Sequence, residues 1–230
     1  MVVVGVLALQ GGFAEHINLL QRAADHISRT NEIIDLVEVR TSEQLHSCDA
    51  LIIPGGESTT LSLVAVQSGL IEPLREFVKV SKRPVWGTCA GLILLCDEAS
   101  ATKRGGQELI GGLSVKVHRN HFGRQLNSFV RDMDLGFLES VEEKPRPFPA
   151  IFIRAPVVEH LLKEDEKSGG EVEILARISS EGGTEEIVAL RQDNVFGTSF
   201  HPELTDDMRI HVWWLNQVMK ISRQSWSNAS

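Results

Sequence analysis

The sequence predicts an α/β fold of three layers, a mostly parallel central sheet with helices on both faces, and three observations carry that reading. Continuous aliphatic runs alternate with segments of helical periodicity through the first third of the chain. Several runs end abruptly in glycine, at Gln10-Gly11-Gly12, Pro54-Gly55-Gly56 and Gly87-Thr88-Cys89-Ala90-Gly91. From Leu113 onward the pattern changes to short alternating segments with few helical stretches, which implies antiparallel additions to the sheet.

The elements follow in order. Val2–Leu9 (VVVGVLAL) has the unbroken apolar character that a strand buried on both faces requires. Phe13, Ile17, Leu20, Ala24 and Ile27 recur at spacings of four and three, so one apolar stripe runs along a helix through about Ser28. Ile33–Val39 reads as a second strand, Thr41-Ser42 as the cap of a short helix, and Ala50–Ile53 as a third strand. Leu61–Val66 and Leu70–Val80 read as helices punctuated by Gly69. Pro84–Trp86 is a short strand, and Leu92–Leu95 opens a helix that carries Cys96 two turns after Cys89. Later strands are expected at Val115–His118, Leu126–Arg131, Ile151–Arg154, Val172–Ile178, Ile187–Leu190 and Val195–Phe200. Glu139–Pro149 is a charged, proline-rich excursion, and Lys163–Gly170 and Glu181–Gly183 are polar loops. Asp206–Ile221 closes the chain as a helix with two acids in its first turn.

The 230 residues carry 23 Lys+Arg against 31 Asp+Glu, a formal charge of −8 with no basic block. That balance lacks the footprint of a nucleic-acid binder and is repelled by an anionic membrane surface, which leaves a small substrate or a protein partner. The three cysteines, Cys48, Cys89 and Cys96, form neither a disulfide framework nor a C-x-x-C pair, so a reducing, cytoplasmic compartment fits. The apolar N-terminus has no basic leader or cleavage site, and no apolar run approaches the roughly 18 residues of a membrane span. No repeat, low-complexity tract or linker divides the chain, which reads as one domain over residues 1–230.

Gly87-Thr88-Cys89-Ala90-Gly91 has the form G-x-C-x-G, a nucleophile elbow with cysteine at its centre. A strand turning sharply into a helix strains the middle residue, demands glycine where neighbours approach, and exposes Sγ at the top of the sheet beside a helix N-terminus. The amide of Ala90 then points where an oxyanion forms. Phe200-His201-Pro202-Glu203 supplies partners, because residues two apart in an extended segment point the same way and Pro202 stiffens the link. Nucleophile, base and orienting acid make a triad in the order Cys89, His201, Glu203. A buried cysteine and a structural histidine are the plain alternatives to either motif alone.

With these residues in view, the sequence resembles the class I, triad-type glutamine amidotransferases, whose fold is flavodoxin-like. Ordered blocks narrow the resemblance: GVLALQGGFAEH (Gly5–His16), LIIPGGESTT (Leu51–Thr60), WGTCAGLILL (Trp86–Leu95), RNHFGRQ (Arg119–Gln125), FIRAP (Phe152–Pro156) and SFHPELT (Ser199–Thr205). Together they are similar to the glutaminase subunits of pyridoxal 5′-phosphate synthase, nearly end to end. The chain departs in carrying His121 where a small residue is common, and in longer segments at Ser100–Glu108 and Glu139–Phe148.

The resemblance implies hydrolysis of L-glutamine to glutamate and ammonia by attack of Cys89, with no cofactor and no metal. Ammonia then passes to a (β/α)8 synthase partner that combines it with ribose 5-phosphate and glyceraldehyde 3-phosphate. The oxyanion is assigned to the Ala90 amide and the Gly55-Gly56 turn. Glu57 suits the substrate ammonium, and the family pattern adds Gly56, Ser58, Arg119, Ile153 and Arg154, an arginine fork suiting a carboxylate. Gln10 and the residues after it, Glu15 and His16 included, are expected at the partner interface. An amidotransferase serving an imidazole or aminobenzoate pathway and a non-catalytic regulatory relative are the other readings.

Other features have plainer explanations. Pro54–Thr60 lacks the G-K-[ST] ending of a phosphate loop, and Glu57 would repel phosphate. His118 and His121 have metal-like spacing only if helical, and Cys48, Cys96 and Trp213-Trp214 read as packing.

Overall fold

A strand of unbroken aliphatic residues can be buried on both sides only where both faces of its sheet are covered, and β1 (Val2–Leu7) meets that condition. Val2, Val4 and Val6 point into one hydrophobic core and Leu7 into another. The computed structural model describes residues 1–27, 33–100, 107–119, 128–142, 144–162, 169–179 and 183–228. Five strands run parallel in the order β2 (Ile34–Val39), β1, β3 (Ala50–Ile53), β4 (Val85–Thr88) and β12 (Val195–Thr198). The sheet continues through β11 (Glu185–Gln192), β9 (Val157–Leu161), β6 (Leu113–His118) and β5 (Cys96–Ser100), with β10 (Val172–Ser179) also on β11. The pairings β12–β11, β11–β10, β11–β9 and β9–β6 are antiparallel, as the change of pattern after Leu113 predicts. A separate two-stranded antiparallel sheet joins β7 (Ser128–Met133) to β8 (Phe148–Ile153).

Helices α1 (Phe13–Ile27) and α6 (Arg209–Asn228) pack together on one face over Val4, Val6, Trp86 and Phe196. Trp213 and Trp214 lie in that core, Trp214 5.8 Å from the Trp86 ring, as packing residues. The other face is covered by α2 (Ser42–Ser47), α3 (Ser58–Gln67), α4 (Ile71–Arg75, continued as a π-helical turn over Glu76–Val80) and α5 (Ala90–Leu95). Thr41 caps α2 as predicted, in a capping box with Gln44.

The structure corrects two expectations, the placement of Cys96 and the start of the last helix, and adds two features. Helix α5 stops at Leu95, so Cys96 is not on it: Cys96 is its extended C-cap and the first residue of β5, a strand not anticipated. The chain leaves the helix to pair with β6, and Asp97 fixes the exit by accepting from the Gly112 N–H (3.2 Å) and the Ser114 hydroxyl (3.2 Å). Strand β9 has no clear signal in the sequence, because Val157-Val158-Glu159-His160-Leu161 is buried only at its first two residues and shows no alternation. The two acids Asp206 and Asp207 precede α6 rather than occupying its first turn, and Asp207 Oδ1 accepts the Arg209 N–H (3.1 Å) as a cap. The excursion Glu139–Pro149 begins within a 3-10 turn over Gly136–Val141 and ends in β8, and Arg209 ties it down by donating to the Arg146 and Pro147 carbonyls (both 2.9 Å). Most of Ser100–Glu108, Lys163–Gly170 and Glu181–Gly183, with Ser28, Leu126 and residues 120–125 of the RNHFGRQ block, lies outside the described residues.

Candidate active site

The parallel strands β1, β3, β4 and β12 all end on one edge, where ligands of such sheets bind. There β4 runs straight into α5 at Cys89, whose φ of +47° and ψ of −98° are strained for a residue with a side chain. The surroundings hold it in place. The Cys89 N–H donates to the Thr198 carbonyl at the end of β12 (2.8 Å), and β-carbons on Gly87 or Gly91 would collide with backbone, that of α5 and of Ile53 respectively. Ala90 is the first residue of α5, where an amide has no acceptor within its own helix.

His201 reaches this edge because the chain leaves β12 at Thr198 and its backbone N–H donates to the Ile151 carbonyl of β8 (2.8 Å). Its Nδ1 is 2.7 Å from Glu203 Oε1, and its ring shares the wall of one cavity with Cys89, so the three predicted groups come together at this edge. Burial of the ring works to lower the His201 pKa, but the hydrogen bonds and negative charge of Cys89 and Glu203 outweigh it and raise the value to about 10. Glu203 is almost fully buried, 4% exposed, and among the described residues its ion-pair partners are the histidines His16 and His201, with no Lys or Arg.

The predicted substrate groups converge on the same place. A cavity of about 300 Å³ is lined by Gly56, Glu57, Ser58, Cys89, Ile93, Arg119, Ile153, Arg154 and His201. Arg154, at φ +46°, follows β8 in a second strained position, and the Ile153 carbonyl lies 4.0 Å from the Cys89 sulfur. Arg119 is buried, donates through Nη2 to the Thr59 hydroxyl (3.0 Å), and keeps an Nε with no hydrogen-bond partner among the described residues. A buried guanidinium edge with a free donor is suited to an incoming carboxylate.

Glu57 lines the cavity but also caps α3, accepting from the Thr60 N–H (2.7 Å), the Thr59 N–H (3.2 Å) and the Thr60 hydroxyl (2.8 Å). Partial burial alone would raise its pKa; these donors lower it to about 2, so it faces the cavity as an anion. The Gly55-Gly56 turn is pinned from below. Gly12 donates its N–H to the Gly55 carbonyl (3.1 Å), and Gln10 Oε1 accepts the Glu57 N–H (2.9 Å). A β-carbon on Gly55 would strike the His201 ring, and one on Gly56 would strike the Gln10 amide.

Two participants escaped the sequence reading. Gln107, in the lengthened segment, accepts from the Ser58 hydroxyl (3.2 Å) and leaves its Nε2 unpaired among the described residues. His16, expected at an exterior interface, is fully buried behind Glu203. No local signal marks Gln107; for His16 the signal was a polar residue at the same helical spacing as Leu20, Ala23 and Ile27. His118 lies on β6, which denies it helical metal spacing, and its partner His121 is outside the described residues. Among the described residues no cluster of three or more His, Cys, Asp or Glu side chains could hold a metal ion. Nor, among them, is any helix long and apolar enough to cross a membrane.

Residues 6–220 match the SNO glutamine amidotransferase family. The chain belongs to that family. This amidotransferase is 43% identical to the probable pyridoxal 5′-phosphate synthase subunit PDX2 of Arabidopsis thaliana, over 99% of this chain and 90% of that one. It is 44% identical to the pyridoxal 5′-phosphate synthase subunit PdxT of Streptomyces griseus (96% and 98% covered) and 43% identical to SNO1 of Saccharomyces cerevisiae (94% and 93%). A crystal structure of a glutamine amidotransferase superimposes on it with a TM-score of 0.75 at 40% identity, covering 94% of this chain and 98% of that one. The amidotransferase fold and the α/β architecture read from the sequence therefore agree.

Proposed function

We propose that this chain, as one 230-residue catalytic unit, hydrolyses L-glutamine and supplies the ammonia to a (β/α)8 synthase that makes pyridoxal 5′-phosphate from ribose 5-phosphate and glyceraldehyde 3-phosphate. The observation that carries the reading is convergence: nucleophile, base, anionic Glu57 and buried Arg119 line one cavity whose volume matches a small ligand, roughly the 300 Å³ lower bound of such sites. Names of relatives support the synthase partner.

In this mechanism Cys89 Sγ attacks the side-chain amide carbon of glutamine, and the oxyanion is met by the Ala90 amide with a second donor from the Gly55-Gly56 turn. His201 hands its proton to the leaving ammonia as the C–N bond breaks, leaving a glutamyl thioester. It then takes a proton from water, whose oxygen attacks the thioester carbon, and returns a proton to sulfur as glutamate leaves. Glu203 keeps Nδ1 protonated and the ring oriented throughout. Arg119 and Arg154 meet the substrate carboxylate, Glu57 its ammonium, with Ser58 and the Ile153 backbone completing the wall. The chemistry calls for no cofactor or metal, and free thiols suit a reducing cytoplasm.

The test is glutamine hydrolysis by the chain titrated with its synthase, wild type against Cys89→Ala. Loss of ammonia and glutamate release in the variant is expected; retained hydrolysis overturns the nucleophile assignment. Absence of any complex with a (β/α)8 synthase overturns the assigned acceptor in favour of another amidotransferase pathway.

A further inference from the structure

Behind the triad lies a second row of polar side chains that the mechanism above does not use. Glu203 spends Oε1 on His201, and its Oε2 is buried with no hydrogen-bond partner among the described residues. The imidazole of His16, from the first turn of α1, brings Nε2 to 3.4 Å from that oxygen. The same Nε2 is 3.2 Å from the Thr88 hydroxyl, beside the nucleophile, and the ring's other nitrogen, Nδ1, is 3.0 Å from Nε2 of His211 on α6. Both histidines are fully buried and edge-on to Trp86, with ring centroids 5.5 and 4.9 Å away. A polar row this deep, linking α1, α6, β4 and the His201–Glu203 segment, is costly unless its hydrogens are ordered.

The geometry permits one self-consistent ordering. A bare Nε2 on His16 would set a lone pair against a buried carboxylate oxygen, so Nε2 carries the hydrogen. Nδ1 of His16 is then an acceptor, His211 must donate from its own Nε2, and His211 Nδ1 is left bare. That nitrogen is indeed the one without a partner among the described residues. We propose that His16 is a positioning residue of the triad: as a neutral imidazole it is held by Thr88 at Nε2 and keeps the same N–H edge 3.4 Å from Glu203 Oε2, a polar contact that steadies the carboxylate so that Oε1 stays on His201. His211 fixes the tautomer of His16, making the row His211–His16–Glu203–His201–Cys89.

Neutrality is part of the design. A cation at this position would compete with His201 for the charge of Glu203. Burial first, then the neighbouring His211 and His201, hold the His16 pKa well below its ordinary value. Burial, with Arg22 adding to it and Asp207 opposing, lowers that of His211 to about 3. The charged groups around the row are thus Glu203 and His201 in front, and Arg22 and Asp207 behind His211.

This inference rests on the Cys89–His201–Glu203 reading, and its test separates the two. Glutamine hydrolysis is measured in the complex with the synthase for wild type, Cys89→Ala, His16→Leu and His16→Gln, whose amide nitrogen can reach the place of Nε2. In His16→Leu, kcat is expected to fall about tenfold, the scale of losing one polar contact to a buried charged group, with KM unchanged. The alkaline limb of kcat is expected to move to lower pH as the grip of Glu203 on His201 loosens, and His16→Gln is expected to recover most of the loss. Wild-type kcat and pH profile in His16→Leu overturn the proposal, as does a His16→Gln variant as slow as His16→Leu. Should His16→Leu fail to fold, nitrogen chemical shifts of histidine in the wild-type protein decide: a protonated Nε2 and bare Nδ1 on His16 are expected, and the opposite tautomer overturns it. Full activity in Cys89→Ala instead overturns the triad itself.

Discussion

The carbonyl oxygen of Ile53 occupies the space that a side chain on Gly91 would need. The contact joins the end of β3 to the second residue of α5, so the elbow is held from outside its own motif, and the strain at Cys89 is stabilised by packing from a neighbouring strand. A methyl group at Gly91 must push β3 and α5 apart. Gly91→Ala is expected to destabilise the fold by about 1–3 kcal/mol, the usual cost of overpacking, and to suppress glutaminase activity by more than that loss explains. Thermal unfolding beside kcat checks this; a variant with wild-type values of both removes the argument that this glycine shapes the elbow.

The elbow was legible in the sequence because its demands are local: glycines flank the nucleophile within five residues. The α2 cap was legible for the same reason, Thr41 and Gln44 being three apart. Glu57 shows the limit of reading by residue type. Its carboxylate suggested a partner for a substrate ammonium, yet much of its bonding goes to Thr59 and Thr60, as a helix cap. What stayed hidden depends on partners far along the chain. Strand β5 exists because β6 offers it an edge, and His16 faces inward because Glu203, 187 positions later by residue number, folds back on it. No window of sequence carries such information, although a histidine aligned with Leu20, Ala23 and Ile27 did mark an inward-facing polar group.

The raised pKa of His201 has consequences for pH. Its folded value, about 10, exceeds its ordinary 6.5, so folding favours the protonated ring. The resulting stability is complete below about 6.5 and is lost as pH rises through about 10. Activity that needs the same proton for departing ammonia follows that alkaline limb. Glu203→Gln removes one of the two groups that raise the value, and its alkaline limb is expected at lower pH, together with a large fall in kcat. An unshifted limb in that variant would show that Glu203 does not set the titration of His201.

Arg119 is expected to act in substrate binding more than in chemistry. It is buried, and its Nε is unpaired among the described residues, so a substrate carboxylate would gain a charge-assisted bond that exists equally in ground and transition states. Arg119→Gln should therefore raise KM for glutamine about 10- to 100-fold while kcat changes little. The measurement is steady-state hydrolysis over a wide range of glutamine concentration. A fall in kcat at unchanged KM would place Arg119 with the reacting atoms instead.

The Gly55-Gly56 peptide is expected to gate the enzyme. Its carbonyl is tied to the Gly12 N–H (3.1 Å), the next amide in the chain, that of Glu57, is tied to Gln10 (2.9 Å), and neither glycine can accept a β-carbon without striking His201 or Gln10. A turn made of two glycines can rotate its peptide at little steric cost, but here it must first break the bond to Gly12. A synthase that contacts the β1–α1 loop at Gln10 could shift that balance and turn a second amide toward the oxyanion, where one donor is typically worth about 10²–10³ in rate. The isolated chain should then hydrolyse glutamine slowly and accelerate by such a factor when the synthase is titrated in, with KM less affected. Gln10→Ala, which removes the acceptor on the Glu57 N–H, is expected to alter the activity of the isolated chain and weaken its response to the synthase. Equal kcat with and without the synthase would mean that the oxyanion site is already complete in the chain alone, and the gating argument would fail.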